Sequence, residues 1–160
     1  MELNSILRVD AVKSLSGVTS KKRLFQEIGD IAAAAYRMTA GDVCSALQER
    51  ESLGPTGVGH GIALPHARLD GLESVHGLFI RVEKPMDFEA VDRQPVDLIF
   101  ALLAPQDAGV EHLKALAMVS RTMRDNSLCT KLRANADAAT LHTLLTVSYT
   151  HLTLPTKRIV

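Results

Sequence analysis

The segment Pro95-Val96-Asp97-Leu98-Ile99-Phe100-Ala101-Leu102-Leu103-Ala104-Pro105 is a nearly continuous apolar run between two prolines. A strand that is apolar on both faces is normally covered on both sides, as the central strand of a sheet packed between other layers. The segment therefore predicts a central, fully buried strand, and the rest of the sequence has to supply the layers that cover it.

The sequence on either side of this strand supplies helices and further strands. Ser20 precedes an apolar stripe at helical spacing, and a second helical pattern opens at Thr39 or Gly41. Val75 to Val82 has the pattern of a strand, and the last third of the chain is helical. Helices before and after the strands predict an α+β (α/β-type) fold, a three-layer helix–sheet–helix sandwich around a small mixed β-sheet.

Length and charge limit the classes of function. The 160 residues fit one domain, and 18 basic against 18 acidic residues give no formal net charge. A neutral chain offers no basic surface for nucleic acid or for an anionic membrane, so neither partner is expected. Two cysteines make no disulfide framework, and no run approaches a membrane span. We therefore expect a cytoplasmic protein with reduced thiols.

The end of the sequence differs in composition from the rest. Residues 148–160 contain no acidic residue and alternate threonine with apolar residues directly after a helical pattern. The segment resembles translated adapter sequence, and a natural edge strand is the alternative. We expect one domain over residues 1–147 and a non-native or disordered tail over residues 148–160.

The most informative stretch for function is the glycine-rich segment before His66. Gly54, Pro55, Gly57, Gly59 and Gly61 fall within eight residues, a density that indicates special backbone angles or close approach of a ligand. The third glycine of a dinucleotide-binding fingerprint is missing, and no Gly-Lys-Ser/Thr follows. Nucleotide binding is therefore disfavoured.

A histidine beside a flexible glycine segment suits phosphoryl chemistry. Neutral imidazole is nucleophilic near pH 7, and a phosphoryl group in transit needs cations and N–H donors around it. His66 follows Pro65, while Arg50 and Arg68 are candidate phosphate partners. His112 stands in the first turn of the helix after the apolar strand, where helix N–H groups favour anions.

Three other interpretations remain open from spacing alone. His66 could be a structural or surface histidine. His60, His66 and His112 could converge on zinc, although no cysteine pair or zinc-binding helix motif supports it. A Ser–His–Asp hydrolase is weaker, because no Gly-x-Ser-x-Gly elbow is present.

Three stretches carry a resemblance to a known family. They are Thr56-Gly-Val-Gly-His-Gly-Ile-Ala-Leu-Pro-His66, Gln94 to Pro105, and His112-Leu-Lys-Ala-Leu-Ala. Together they resemble the fructose/mannitol-type IIA components of the bacterial phosphotransferase system over about residues 3–147. Within the family the chain is most similar to the stand-alone nitrogen-regulatory members.

The resemblance implies a role for each site residue. His66 would accept a phosphoryl group on Nε2, and His112 would support that group by hydrogen bonding. Arg50 would lie beside the phosphate. His60 departs from the asparagine of some relatives and is kept as a site-lining residue rather than an acceptor. The residues expected to line the phosphate site are Thr56, Gly57, Gly59, His60 and Gly61. No cofactor and no metal are expected.

The resemblance also implies partners and two possible functions. The main hypothesis is a nitrogen-regulatory phosphocarrier, phosphorylated by an HPr-like carrier (NPr), whose phosphorylation state alters binding to potassium-transport or sensor-kinase proteins. The alternative is a sugar-specific IIA component that relays phosphate to a IIB domain during uptake. A binding module with a silent histidine site is disfavoured, because His66, His112 and Arg50 are all present.

Overall fold

The computed structural model describes residues 1–147. Two short 3-10 helices, Leu3–Ser5 and Val9–Ala11, precede the first strand. The strands are β1 (Val12–Leu15), β2 (Gly57–Gly59), β3 (Ile62–Ala63), β4 (His66–Leu69), β5 (His76–Met86) and β6 (Val96–Pro105). The helices are α1 (Lys21–Tyr36), α2 (Ala40–Ser52), α3 (Gly109–Met123), α4 (Asn126–Arg133) and α5 (138–147).

The six strands of the described chain form one mixed, open sheet. Its order is β1-β5-β6-β3-β2, and β4 also pairs with β6. The β5–β6 and β2–β3 pairs are antiparallel, whereas β1 is parallel to β5, and both β3 and β4 are parallel to β6. The predicted α+β fold around a small mixed sheet is confirmed.

The apolar run between the two prolines is the central strand, as predicted. Every residue of β6 is buried except the half-buried Asp97, so both faces of the strand are covered. On one face Phe79 and Phe100 pack edge to face with ring centroids 6.2 Å apart. Burial on both faces places the sheet between two layers of helix.

The helices α1 and α2 form a tight hairpin that makes one wall of a cleft. Ser20 caps α1, accepting the N–H of Arg23, as its position in the sequence predicts. At the crossing of α1 with α2, a Cβ built on Gly29 would lie 2.5 Å from the carbonyl oxygen of Ala40. Only glycine at position 29 lets the two helices approach this closely.

Pro65 separates β3 from β4 and thereby positions His66. β3 and β4 lie in line along β6, with Ile62 opposite Leu98 and His66 opposite Leu102. Since proline has no N–H to donate, pairing is interrupted at this point, although the Pro65 carbonyl still accepts from Leu102. His66 is therefore the first residue of β4.

The glycine-rich segment is not the flexible ribbon that its composition predicts. Gly57–Gly59 forms β2, antiparallel to β3, and His60 occupies the tight turn with φ of 59°. The turn is held on both sides, because Asp92 accepts the His60 N–H at 2.9 Å and Arg133 donates to the His60 carbonyl at 2.8 Å. Arg133 is itself fixed by an ion pair with Asp97.

The tail and the two cysteines are the remaining features about which the sequence makes a prediction. The predicted non-native or disordered tail, residues 148–160, lies outside the described residues. Cys44 is half-buried and Cys129 is buried, and both are free, as expected. None of the helices formed by residues 1–147 combines the length and the apolar character that crossing a lipid bilayer requires.

Candidate functional site

A cleft of about 1000 Å³ opens where α2, β4 and α3 meet. Its floor holds His66 and His112, and Arg50 and Arg68 lie on its walls. The structure therefore brings together the three residues predicted as catalytic, His66, His112 and Arg50, from three separate parts of the chain.

The His66 ring is held in one tautomer. Its Nδ1 lies 2.9 Å from the carbonyl oxygen of Leu64. A carbonyl can only accept, so Nδ1 must carry the proton and donate it. In the neutral ring the lone pair is then on Nε2, which makes Nε2 the nucleophilic atom.

The surroundings of His66 keep the ring neutral. Burial lowers its pKa below the ordinary value, and the positive charge of Arg50 lowers it further. The bond to Leu64 and the negative charge of Glu51 act in the opposite direction without reversing the shift. At neutral pH the side chain is therefore an uncharged base with an available lone pair.

His112 lies against His66 from α3. The ring centroids are 5.5 Å apart and the rings are nearly perpendicular, at 81°. His112 is only 6% exposed, and its Nδ1 has no hydrogen-bond partner among residues 1–147. Burial lowers its pKa, followed by the effects of His66 and Arg68. The site thus holds two neutral imidazoles side by side.

Two arginines give the cleft positive charge. The Arg50 guanidinium donates to the Gly54 carbonyl at 3.0 Å, which braces it just beyond the end of α2. Arg68 is exposed on β4 and donates to the Gln106 carbonyl at 3.3 Å. Both guanidinium groups keep further N–H donors available for an anion.

The five residues expected to line the phosphate site form the segment that precedes β3 together with the β2–β3 turn. Among the described residues that line the cleft, none belongs to the segment 56–61. A Cβ at Gly57 would meet Ala90, one at Gly59 would meet Asp92, and one at Gly61 would meet Arg133 and Asp97. Close packing thus requires glycine at position 57, and at positions 59 and 61 the positive φ angles of 101° and 80° also favour glycine. A direct phosphate contact from Thr56, Gly57, Gly59, His60 or Gly61 stays a prediction, and the structure supplies no support for it.

His60, His76 and His142 are not among the residues that line the cleft. His60 is exposed in the β2–β3 turn and is absent from the cleft. Within residues 1–147 no group of three His, Cys, Asp or Glu side chains could hold a metal ion, so the zinc alternative gains no support. His142 contacts the Leu7 carbonyl at 2.9 Å, and His76 stacks on Tyr36 at 4.4 Å, consistent with structural roles.

Sequence reasoning missed Glu51. Its side chain is 7% exposed, and its carboxylate accepts from the N–H and hydroxyl of Thr56 and from Lys21. The residue ends a polar run, Gln48-Glu49-Arg50-Glu51, that is typical of a solvated helix end. The sequence pointed to Glu51 only through its position directly after Arg50. That position does not reveal that the side chain is buried.

A known protein family matches nearly all of the residues that the structure describes. Residues 5–147 match the family described as "Phosphoenolpyruvate-dependent sugar phosphotransferase system, EIIA 2". The chain belongs to this family. The EIIA 2 family supplies a component of a phosphotransferase, and IIA proteins of this system work with phosphocarrier and IIB partners.

Two nitrogen regulatory proteins are similar to this chain over nearly their whole length. A nitrogen regulatory protein of Bradyrhizobium diazoefficiens is 43% identical over 145 residues, covering 91% of this chain and 95% of the relative. The crystal structure of the nitrogen regulatory protein IIA-Ntr from Neisseria meningitidis has a TM-score of 0.82 at 37% identity, covering 90% and 99%. The predicted resemblance to the nitrogen-regulatory members is confirmed.

A more distant structure shows the same fold. The mannitol enzyme IIA of Escherichia coli, determined in complex with phosphorylated enzyme IIB, has a TM-score of 0.73 at 17% identity. It covers 88% of this chain and 98% of its own. At that identity the likeness extends to the fold of the EIIA 2 domain and no further.

Proposed function

We propose that this protein is a nitrogen-regulatory phosphocarrier whose His66 Nε2 accepts a phosphoryl group from a phosphohistidine on an HPr-like carrier. The observation that carries the proposal is the Leu64 carbonyl bound to His66 Nδ1, which leaves the Nε2 lone pair free beside His112 and Arg50. Nε2 attacks the phosphorus atom, the N–P bond of the donor breaks, and the donor imidazole keeps the electron pair.

His112 and Arg50 stabilise charge on the transferring group in this proposal. Charge on the phosphoryl oxygens is spread, so preorganised N–H donors around it lower the barrier. The guanidinium of Arg50 already acts on His66 electrostatically, and the ring of His112 lies against the acceptor ring. Neither residue carries the phosphoryl group itself.

The rim of the cleft suits contact with a donor protein. Leu53 is 81% exposed and Leu113 is 63% exposed, and both line the cleft that contains His66. Exposed apolar side chains around a reactive group are typical of a protein–protein contact. They would let a carrier bring its phosphohistidine to His66 and then dissociate.

Regulation follows from charge. A phosphoryl group adds close to two negative charges to a chain with no formal net charge. Partners that present carboxylates would be repelled and partners rich in arginine attracted. The partners to examine are potassium-transport or sensor-kinase proteins, which are the targets that the family resemblance implies. We place these contacts in the cytoplasm.

The test is a phosphorelay reconstituted with phosphoenolpyruvate, enzyme I and an HPr-type carrier. Intact mass should show one phosphoryl group per chain, and a chain that gains none contradicts the proposal. A fructose- or mannitol-type IIB domain added to the phosphorylated protein separates the two functions. Phosphate retained on the chain supports the regulatory function, whereas rapid transfer to IIB supports the sugar-specific alternative.

A further inference from the structure

A chain of hydrogen bonds runs from the end of α2 to the imidazole of His66. Glu51 accepts from the Thr56 hydroxyl at 2.6 Å through Oε1 and from the Thr56 N–H at 3.0 Å through Oε2. The Thr56 carbonyl accepts the N–H of Leu64 at 2.9 Å. The Leu64 carbonyl then accepts from His66 Nδ1, also at 2.9 Å. The acceptor that fixes the His66 tautomer is thus held by Thr56, and Thr56 is held by Glu51.

The carboxylate of Glu51 is a firm starting point for this chain. Lys21 donates to it at 2.9 Å and also pairs with Glu89 at 3.2 Å, with its ammonium 4.8 Å from the centre of the Phe88 ring. A buried carboxylate with both oxygens occupied has little freedom to rotate, because any other orientation leaves a charge unpaired.

We propose that Glu51 and Thr56 are positioning residues, which hold the Leu64 carbonyl so that His66 keeps its proton on Nδ1 and its lone pair on Nε2. They act through the ring of His66 and do not touch the phosphoryl group. This assigns Thr56 a role different from the phosphate contact expected from the sequence. The inference deepens the proposed function and rests on it, since it concerns the same histidine.

The charge of Glu51 adds an electrostatic effect to the positional one. The charged and titratable groups that act at His66 are Arg50 and Glu51 from α2, His112 from α3, and Arg68 of β4 through its effect on His112. Arg50 lowers the pKa of His66, and Glu51 raises it. Without the Glu51 charge, only the hydrogen bond to Leu64 opposes the effect of Arg50, and the pKa of His66 should fall further.

The positional effect is tested by changing the Thr56 hydroxyl. Thr56→Val keeps the shape and the N–H but loses the hydroxyl donor, and Thr56→Ser keeps the donor. Nitrogen-15 NMR of the unphosphorylated protein measures which ring nitrogen of His66 carries the proton. We expect Nδ1–H alone in the natural chain and in Thr56→Ser, and a measurable share of Nε2–H in Thr56→Val. Phosphoryl transfer to Thr56→Val should be several-fold slower, and Thr56→Ser should restore it to within about twofold.

The electrostatic effect is tested by Glu51→Gln, with Glu89→Gln as its matched control. Both variants remove one carboxylate from Lys21, and only the first touches Thr56. In Glu51→Gln the NMR titration of His66 should show a lower pKa and the pH–rate profile should shift with it. In Glu89→Gln both should match the natural chain.

The outcomes separate this inference from the proposed function. If the natural chain takes no phosphate, the proposed function fails, while the tautomer and the pKa still report on Glu51 and Thr56. If the natural chain is phosphorylated and folded Thr56→Val and Glu51→Gln keep its tautomer, pKa and transfer rate, the positioning role is overturned. Should Glu51→Gln not fold, the pair Thr56→Val and Thr56→Ser decides alone.

Discussion

At the residue scale, His112 is the side chain whose removal is most informative. It is buried against His66, so His112→Ala removes a potential donor to the transferring group without removing the acceptor. Loss of a comparable donor costs on the order of 10²–10³ in rate. We expect His112→Ala to fold and to be phosphorylated slower by that factor, measured by rapid-quench transfer from the carrier.

Two further variants serve as controls in the same experiment. His112→Gln should recover part of the rate, because an amide can still donate. His76→Ala, which changes a histidine outside the cleft, should keep the natural rate. Transfer to His112→Ala at the natural rate would make His112 a packing residue of α3.

At the element scale, the apolar patterns of the sequence predict most of the fold, but they do not predict the short strands. The double-sided run of β6 and the cap at Ser20 could be predicted, because burial and capping depend on local residue types. The three-residue β2 could not, since its strand conformation depends on the remote Asp92 and Arg133. The same remote contacts hold the glycine segment in a packed hairpin, which its composition does not predict.

The crossing of α1 and α2 gives a prediction about stability. In Gly29→Ala the new methyl group would lie 2.5 Å from the Ala40 carbonyl, so the helices must separate. We expect a loss of about 1–3 kcal/mol in the free energy of unfolding, measured by urea denaturation. Gly41→Ala, with nothing within 4 Å of its Cβ, is the matched control and should match the natural chain or gain up to about 1 kcal/mol. Equal stability of the two variants would contradict the close crossing.

The exposed face of α3 gives a prediction about the donor. Leu113→Asp should slow phosphoryl transfer by raising the apparent KM for the carrier, because it adds charge to the apolar rim of the cleft. Val91→Asp changes an apolar residue that is 75% exposed and lies away from the cleft, and it should leave transfer unchanged. Steady-state kinetics with varied carrier concentration make the comparison. Equal effects of the two substitutions would remove the rim from the donor contact.

At the scale of the whole molecule, acidification should destabilise the fold through its buried histidines. Burial lowers the pKa of His66, His76 and His112 in the folded state. Below their ordinary pKa of about 6.5 the unfolded chain therefore binds protons that the folded chain does not, and stability falls. Each group contributes at most about 1.4 kcal/mol per pH unit.

The melting temperature measures this effect between pH 7.5 and pH 5, above the range in which carboxylates titrate. We expect a level Tm at the alkaline end and a decline below about pH 6.5. His76→Gln should decline less steeply, since one of the three groups is gone. A Tm that stays constant down to pH 5 would show that the three rings accept protons equally well in the folded chain.

NMR of the phosphorylated, nitrogen-15-labelled protein shows whether His66 Nε2 is the phosphoryl acceptor, as we propose. A coupling between phosphorus and nitrogen identifies the atom that carries the phosphoryl group. Because Nδ1 donates to the Leu64 carbonyl, we expect the coupling at Nε2 of His66 and no coupling in His66→Ala. Phosphate on Nδ1 of His66, or on the ring of His112 or His60, would rule out His66 Nε2 as the acceptor.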